Sequence, residues 1–429
     1  MSHVAERYES LTAEFDAFRR HPAFGTGASA RARDEAFQRF VERGFPTTRD
    51  EDWRFTNVAP IANTTFVRGP EAPLSHAVIA PYLFAGLPAI VVVNGRVSKS
   101  LSNLDALPAG LSFATTSEVV FPNSDQKRPP RSFHPFADLN TAFVEDVVVL
   151  DVAPKTVVAE PIQVLFVTVA ESHAAMAAPR LVVRLGEASE CSIIESYASV
   201  GQHTTWTNAS TEIDLAPGAV LDHVKVQRES DSAFHIAGTH IRLDRASTFA
   251  SRSLTFGGRI TRNDISAVLD GDGAECTLNG LYVAGGDSLV DNHTSIDHAK
   301  PNCPSHEVYK GILSGRAKAV FNGKIVVELD AQKTNAKQTN KALLLSDDAQ
   351  INTKPQLEIF ADDVKCTHGA AIGQLDEDAM FYLRARGIAE TDARALLIHA
   401  FASQVLDEIK NSVVRERVQQ VLDAKLAIG

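Results

Sequence analysis

The sequence predicts a mainly β protein, with a β-solenoid core flanked by α-helical regions on its N-terminal and C-terminal sides. Three observations carry this. Between Arg180 and Ile372 helical periodicity is almost absent, and short runs of Val, Ile, Leu, Thr and Phe alternate with Gly, Asn and Asp turns. Within that stretch a short motif returns at a near-constant interval. Residues 3–43 and those after Gly387, by contrast, place apolar residues at helical spacing.

The motif is a leucine, a polar or glycine turn and an alanine that opens a strand. It occurs at Leu185–Ala188, Leu215–Ala219, Leu243–Ala246, Leu269–Ala274, Leu313–Ala317 and Leu345–Ala349. The alanines lie 31, 27, 28, 43 and 32 residues apart, which reads as stacked coils with one insertion in the interval of 43. A sandwich would also show turns but gives no reason for a common period. The last coils are rich in amides and hydroxyls, among them Gln332, Thr334, Asn335, Gln338, Thr339, Asn340, Asn352 and Thr353. Stacked coils can use such residues as ladders that satisfy turn backbone groups, a structural role.

On the N-terminal side, Tyr8, Leu11, Phe15 and Phe18 mark one helical stripe and Phe37, Phe40 and Val41 another, separated at His21-Pro22. The acidic, aromatic run Asp50–Phe55 reads as a staple holding these helices to the next unit. Ala89–Val93 followed by Asn94-Gly95 is a hairpin signal, since that dipeptide suits a type I′ turn. The basic cluster in Asp125–Arg131 reads as a solvated loop. On the C-terminal side, Asp376 is placed to cap a helix and Gly387 to end it. Thr391 is the expected cap of a helix from Asp392 to about Lys410, and a break at Asn411-Ser412 precedes a last helix. The apolar face of this tail either packs on the solenoid end or is lent to a partner.

Composition narrows the function. The chain has 429 residues and a net charge of −11, with no basic run interleaved with aromatics, so nucleic acid is an unsuitable partner. The N-terminal stretch lacks an apolar core of signal-peptide length and no apolar run approaches ~20 residues, which predicts a soluble cytosolic protein with no membrane role. The four cysteines, Cys191, Cys276, Cys303 and Cys366, are far apart and form no self-contained cluster or zinc motif. GxxxxGK[ST], GxGxxG on a strand and GxSxG are all missing, and no carboxylate pair stands out.

Two sets of ligand-capable residues remain. Cys366 and His368 are two apart on an expected strand, so they project from one face. His293, His298, Cys303 and His306 are metal-capable types in one short stretch. Their spacing is irregular, and the structural reading of that stretch is preferred.

The run Thr353–Ile359 with Ala361–Ala370, ending in Cys366-Thr367-His368-Gly369-Ala370, resembles the SufB/SufD family of the SUF iron–sulfur cluster assembly system, in its SufD form. Tyr382–Ile388, Gly44-Phe45-Pro46 and Asp52–Phe55 fit the same pattern. The SufB form carries its histidine in a Glu-His-Glu-Ala context instead. The resemblance implies a right-handed parallel β-helix over residues 151–375, an N-terminal helical and mixed α/β region over 1–150 and a C-terminal helical region over 376–429. It implies no catalysis by this chain. It implies pairing with a SufB-like paralogue through the β-helix end and binding of a SufC-like ABC ATPase by the C-terminal region, where Tyr382, Leu383, Arg386, Leu396, Leu397 and Phe401 are the candidate contacts. No cofactor is held permanently, and an iron–sulfur cluster or iron is bound transiently at the SufB interface. There His368 is the implicated residue, and the pattern leaves open whether Cys366 ligates or packs. Self-association as a homodimer is expected when the chain is alone. The competing readings are a β-helix carbohydrate-active enzyme and a metal-free homodimeric solenoid adaptor.

Overall fold

The computed structural model describes residues 8–117 and 135–428, so the basic cluster in Asp125–Arg131 lies outside the described residues. Among the described residues the core is two facing sheets of 11 and 10 strands, parallel along the solenoid. The first sheet runs from Val147–Val152 through Arg180–Leu185, Thr205–Leu215, Phe234–Leu243, Ile260–Leu269, Leu289–His298 and Lys318–Val327 to Gln350–Ile359. The second runs from Ile162–Ala170 through Glu190–Gly201, Val220–Arg228, Thr248–Thr255, Glu275–Ala284, Pro304–Leu313 and Asn335–Leu344 to Lys365–Gly373. The chain alternates between them, so each coil contributes one strand to each sheet and β-solenoid is the architecture.

Register gives the coil length directly. Glu190 pairs with Val220, Val220 with Thr248 and Thr248 with Glu275, and a coil takes about 30 residues throughout. The interval of 43 is not an insertion. Cys276 pairs with Ser305, so Cys303 is one coil beyond Ala274 on the same corner. Ala317 instead opens a strand of the first sheet, whose Lys318 pairs with Leu289, and so lies on the opposite corner. Both corners need an inward leucine, a tight turn and a small residue, so one motif serves both and its switch of corner adds half a coil.

One corner is a continuous ladder. Lys155, Ala188, Ala246, Asn302 and Lys333 adopt positive φ there. The N–H of Ala188 donates to Pro217 O (2.9 Å), that of Ala246 to Asp272 O (2.9 Å) and that of Asn302 to Gln332 O (2.9 Å). Gln332 and Thr334 act at this corner as expected of the amide-rich coils: Gln332 Oε1 accepts from Asp363 N (2.9 Å) and Thr334 Oγ1 donates to Ala331 O (2.8 Å). Gln338 and Asn340 do not, and face the interior instead.

Helices cover both outer faces. The helices α1 (Glu9–Arg19), α2 (Gly27–Arg43) and α3 (Pro135–Phe143) bury Phe15, Phe18, Phe37, Phe40 and Phe143 against Trp206, Phe234 and Ile260 of the first sheet. Trp53 is the expected staple, buried beside Phe136 with the Arg262 guanidinium 3.7 Å from its ring centroid, while Phe55 is exposed. The hairpin forms as predicted: Val93 pairs with Arg96 across Asn94 (φ 49°) and Gly95 (φ 82°).

At the other end lie α4 (Glu377–Ala385), α5 (Glu390–Leu406) and α6 (Ser412–Ile428). Asp376 caps α4 through Ala379 N (3.0 Å), and Gly387 follows its end. Thr391 is not the cap of α5, which begins two residues earlier than expected, at Glu390 behind Ala389. The tail does not sit on the solenoid end. Ile398, Ala402, Val405, Leu406, Val414 and Val418 lie along the flank, on the outward rows Val224, Val226, Leu254, Leu281 and Ile312 of the second sheet. Lys310 Nζ donates to Phe401 O (2.7 Å) across this seam.

Between the sheets the core is mostly Val, Ile, Leu, Ala and Phe, with a polar thread. Glu195 accepts from Tyr197 (2.6 Å) and Thr211 (3.0 Å) and lies 3.2 Å from His223 Nε2. Burial would raise its carboxyl, but the His223 contact and the Lys225 charge hold it at about 2. Nearer the last coil, burial pushes Glu307 up to about 7, opposed by Thr294 and by Gln338, whose Nε2 donates to Glu307 Oε2 (2.7 Å). Between these, Tyr309 packs over Gly280 of the preceding coil and Tyr282 over Gly311 of the following one, so two rings and two glycines interlock reciprocally.

Two predictions follow from this core. Gly311→Ala places a methyl into the Tyr282 ring and is expected to destabilise by about 1–3 kcal/mol, read from the denaturation midpoint; an unchanged midpoint would show that the interlock has slack. Glu307 has a folded value above its ordinary 4.5, so its contribution is full below 4.5 and is lost as pH rises to about 7. Stability of Glu307→Gln relative to the native chain should therefore increase across that window, and parallel curves would contradict the assignment.

Candidate functional site

The solenoid stops at Gln350–Ile359 and Lys365–Gly373. Among the described residues neither strand has a further neighbour in its sheet, so both present an open edge. Side chains that would be covered one coil earlier are uncovered here. Ile359 and Ile372 are exposed, as is Phe360 at the corner between the two strands.

Register assigns Cys366 and His368 to two adjacent interior columns. The first column is Cys191, Leu221, Phe249, Cys276, Ser305, Ala336 and Cys366. Every member but the last is buried, and Cys366 is half-buried against the same core. Burial raises its thiol above the ordinary value. The second column is Ile193, His223, Ser251, Leu278, Glu307, Gln338 and His368, and its last member is exposed. The period-two alternation of a strand thus places thiol and imidazole on one face, roughly 7 Å apart along the backbone. A soft ligand and a borderline one are presented at an edge that a second chain can approach.

The other four candidates are dispersed. His293 faces outward from the first sheet with Nε2 3.0 Å from Asp291 Oδ1, and Asp291 is in turn bound by Arg262 (2.8 Å). His298 faces inward with Nε2 2.9 Å from Ser305 Oγ, and burial pushes it down to about 4, so it is neutral. The Cys303 thiol is buried at the ladder corner, 3.3 Å from Gly271 O, with its ionisation disfavoured by burial. His306 lies on the second sheet, on the opposite face of its strand from buried Ser305. Among the described residues no three His, Cys, Asp or Glu side chains gather as one metal site.

His293 does line a cleft of about 730 Å³ beneath the Gly44–Trp53 segment, with Arg262, Asp264, Lys324, Lys354 and Glu358. A Glu51–Lys354 ion pair of 2.7 Å lies in its wall.

On the tail, Tyr382 is exposed with the Arg386 guanidinium 4.5 Å from its ring centroid, and Leu396 is exposed on α5. Leu383, Leu397 and Phe401 are half-buried. The most exposed aromatic side chain among the described residues, Phe381 at 74%, was not singled out from the sequence. Nor was the interior thread of Glu195, Lys225, Glu229 and Glu307. The available signal was a lone charged residue at an inward-phase position of a strand otherwise made for burial, as with Glu195 between Ile193 and Tyr197. No helix among the described residues is long and apolar enough to cross a membrane.

Comparison with known proteins agrees with this geometry. Residues 166–401 match the family described as SUF system FeS cluster assembly, SufBD core domain. The chain is 32% identical over 395 residues to an iron–sulfur cluster assembly SufBD family protein of Synechocystis, covering 89% of this chain and 87% of that one. It is 31% identical over 413 residues to the iron–sulfur cluster assembly protein SufD of Escherichia coli, covering 95% of each. It is also 28% identical over 400 residues to the chloroplastic protein ABCI7 of Arabidopsis thaliana, covering 91% of this chain and 84% of that one. The fold, the exposed Cys-x-His edge and these likenesses agree, and the chain belongs to the SufBD family of the SUF iron–sulfur cluster assembly system.

Proposed function

We propose that this chain works as a non-catalytic assembly subunit, presenting His368 at the open end of its solenoid to a nascent iron–sulfur cluster held jointly with a SufB-like paralogue. The observation that carries the reading is the uncovered end itself: two unpaired parallel edges, exposed Ile359, Phe360 and Ile372, and an exposed imidazole among them. Unpaired edges and apolar surface of this kind call for a partner. A second solenoid can continue both sheets. Cys366 and His368 are too few to hold a cluster, whose usual complement is four protein ligands, so the remainder come from the other subunit. The cluster or its iron is cargo here and leaves with the product.

Hydrolysis of ATP belongs to a SufC-like ABC ATPase bound by the tail, through Tyr382, Leu383, Arg386, Leu396, Leu397 and Phe401. The exposure of Tyr382, Leu396 and Phe381 supports that assignment. The same open end can pair with a second copy of this chain when no paralogue is present, giving a homodimer. The cytoplasm is the proposed compartment. Family membership supports the assembly reading over carbohydrate turnover, and the exposed imidazole supports it over a metal-free adaptor.

Mild affinity purification of the tagged chain from its own cells, at low salt and without oxygen, should recover an ABC-type ATPase and a paralogous solenoid. Recovery of the chain alone would remove the mechanism. In the reconstituted complex, His368→Ala should fold with an unchanged circular dichroism spectrum yet lose most of the iron and sulfide incorporated, and full incorporation would sink the role of His368. Leu396→Asp should release the ATPase several-fold more readily while leaving the paralogue bound; loss of both together would place the tail contact elsewhere.

A further inference from the structure

Gln338 is the interior residue next in register to His368, one strand behind it. Its side chain is buried, and its Nε2 donates to Glu307 Oε2 (2.7 Å), the member of the column one strand further back. The oxygen of the same amide, on the opposite side of its carbon from that nitrogen, is buried with no hydrogen-bond partner in the chain. Across the interior, Gly323 of the first sheet leaves the space the amide occupies: a methyl there would meet Gln338 Nε2. A buried, unpaired carbonyl oxygen is costly, and strands in one sheet stand ~4.8 Å apart, within side-chain reach.

We infer that Gln338 is a positioning residue for His368: when the exposed imidazole turns inward about its side-chain torsions, it donates one N–H to the open Gln338 Oε1, a bond that the outward ring does not make here, while Glu307 holds the amide the right way round and Gly323 gives it room. The consequence is a chosen tautomer. With one ring nitrogen protonated and tied inward, the other keeps its lone pair directed away from the interior, where cargo arrives. This inference rests on His368 as the group that meets the cargo.

The test uses the full chain labelled with ¹⁵N-histidine, with the His368 ring resonances identified by their loss in His368→Gln. One tautomer should dominate in the native chain. In Gln338→Leu the tautomer ratio should fall several-fold. Gly323→Ala, which displaces the amide without removing it, should shift the ratio the same way and serves if Gln338→Leu does not fold. In the reconstituted complex, iron incorporation should fall part of the way toward His368→Ala in Gln338→Leu. A ratio that stays at the native value in both Gln338→Leu and Gly323→Ala overturns the inference, whatever His368→Ala does. A ratio that moves while His368→Ala leaves iron incorporation intact upholds the hydrogen bond and overturns the assembly reading instead.

Discussion

Every strand of the core depends on the coil before it and the coil after it for its backbone hydrogen bonds. A parallel stack of this kind has no internal reason to stop, and wherever it stops it leaves two rows of unpaired backbone groups. In this chain the N-terminal end of the stack is extended by an antiparallel strand, Leu111–Thr116 against Val147–Val152, and by the Ala89–Val97 hairpin, whose first strand lies parallel beside Ile162–Ala170 and whose second turns back antiparallel. The other end is left open, and it is there that the Cys-x-His pair stands. The proposed function is placed at the point where the pairing rule cannot be satisfied within one chain.

The interior columns extend this logic. A column in a solenoid is a row of side chains with fixed spacing, and its last member is prepared by those behind it. Cys366 completes a row of small and apolar residues, which favours a thiol that packs. His368 completes a row that has turned polar over its last steps, through Glu307 and Gln338. Two residues apart in sequence, the two are set in different surroundings by what lies beneath them.

Much of this was legible in the sequence. The period of the Leu-turn-Ala motif, the Asn94-Gly95 turn, the Asp376 cap and the shared face of Cys366 and His368 all rest on local rules that tertiary context did not override. What was hidden depends on register. The same motif fits either corner, so an interval of 43 read as an insertion when it was a change of corner. In the His293–His306 stretch nearness in sequence is not nearness in space, in keeping with the structural reading preferred for it. The strands send those residues to opposite faces and to both sheets. The covering of the flank by α5 and α6 was unreadable for a related reason: Val224, Val226, Leu254 and Ile312 alternate with interior residues in strands buried on both sides, and nothing local says which apolar row meets a helix.

The tail's position on the flank has a mechanical consequence. Its buried face touches outward rows from Ile194 to Leu343, which belong to successive coils of the second sheet. A load applied to the exposed side of α5 is therefore shared by shear across several coils, rather than peeling the last one. A subunit gripped by its tail moves as one stiff lever, and displacement at the grip is carried to the open end without first unravelling it.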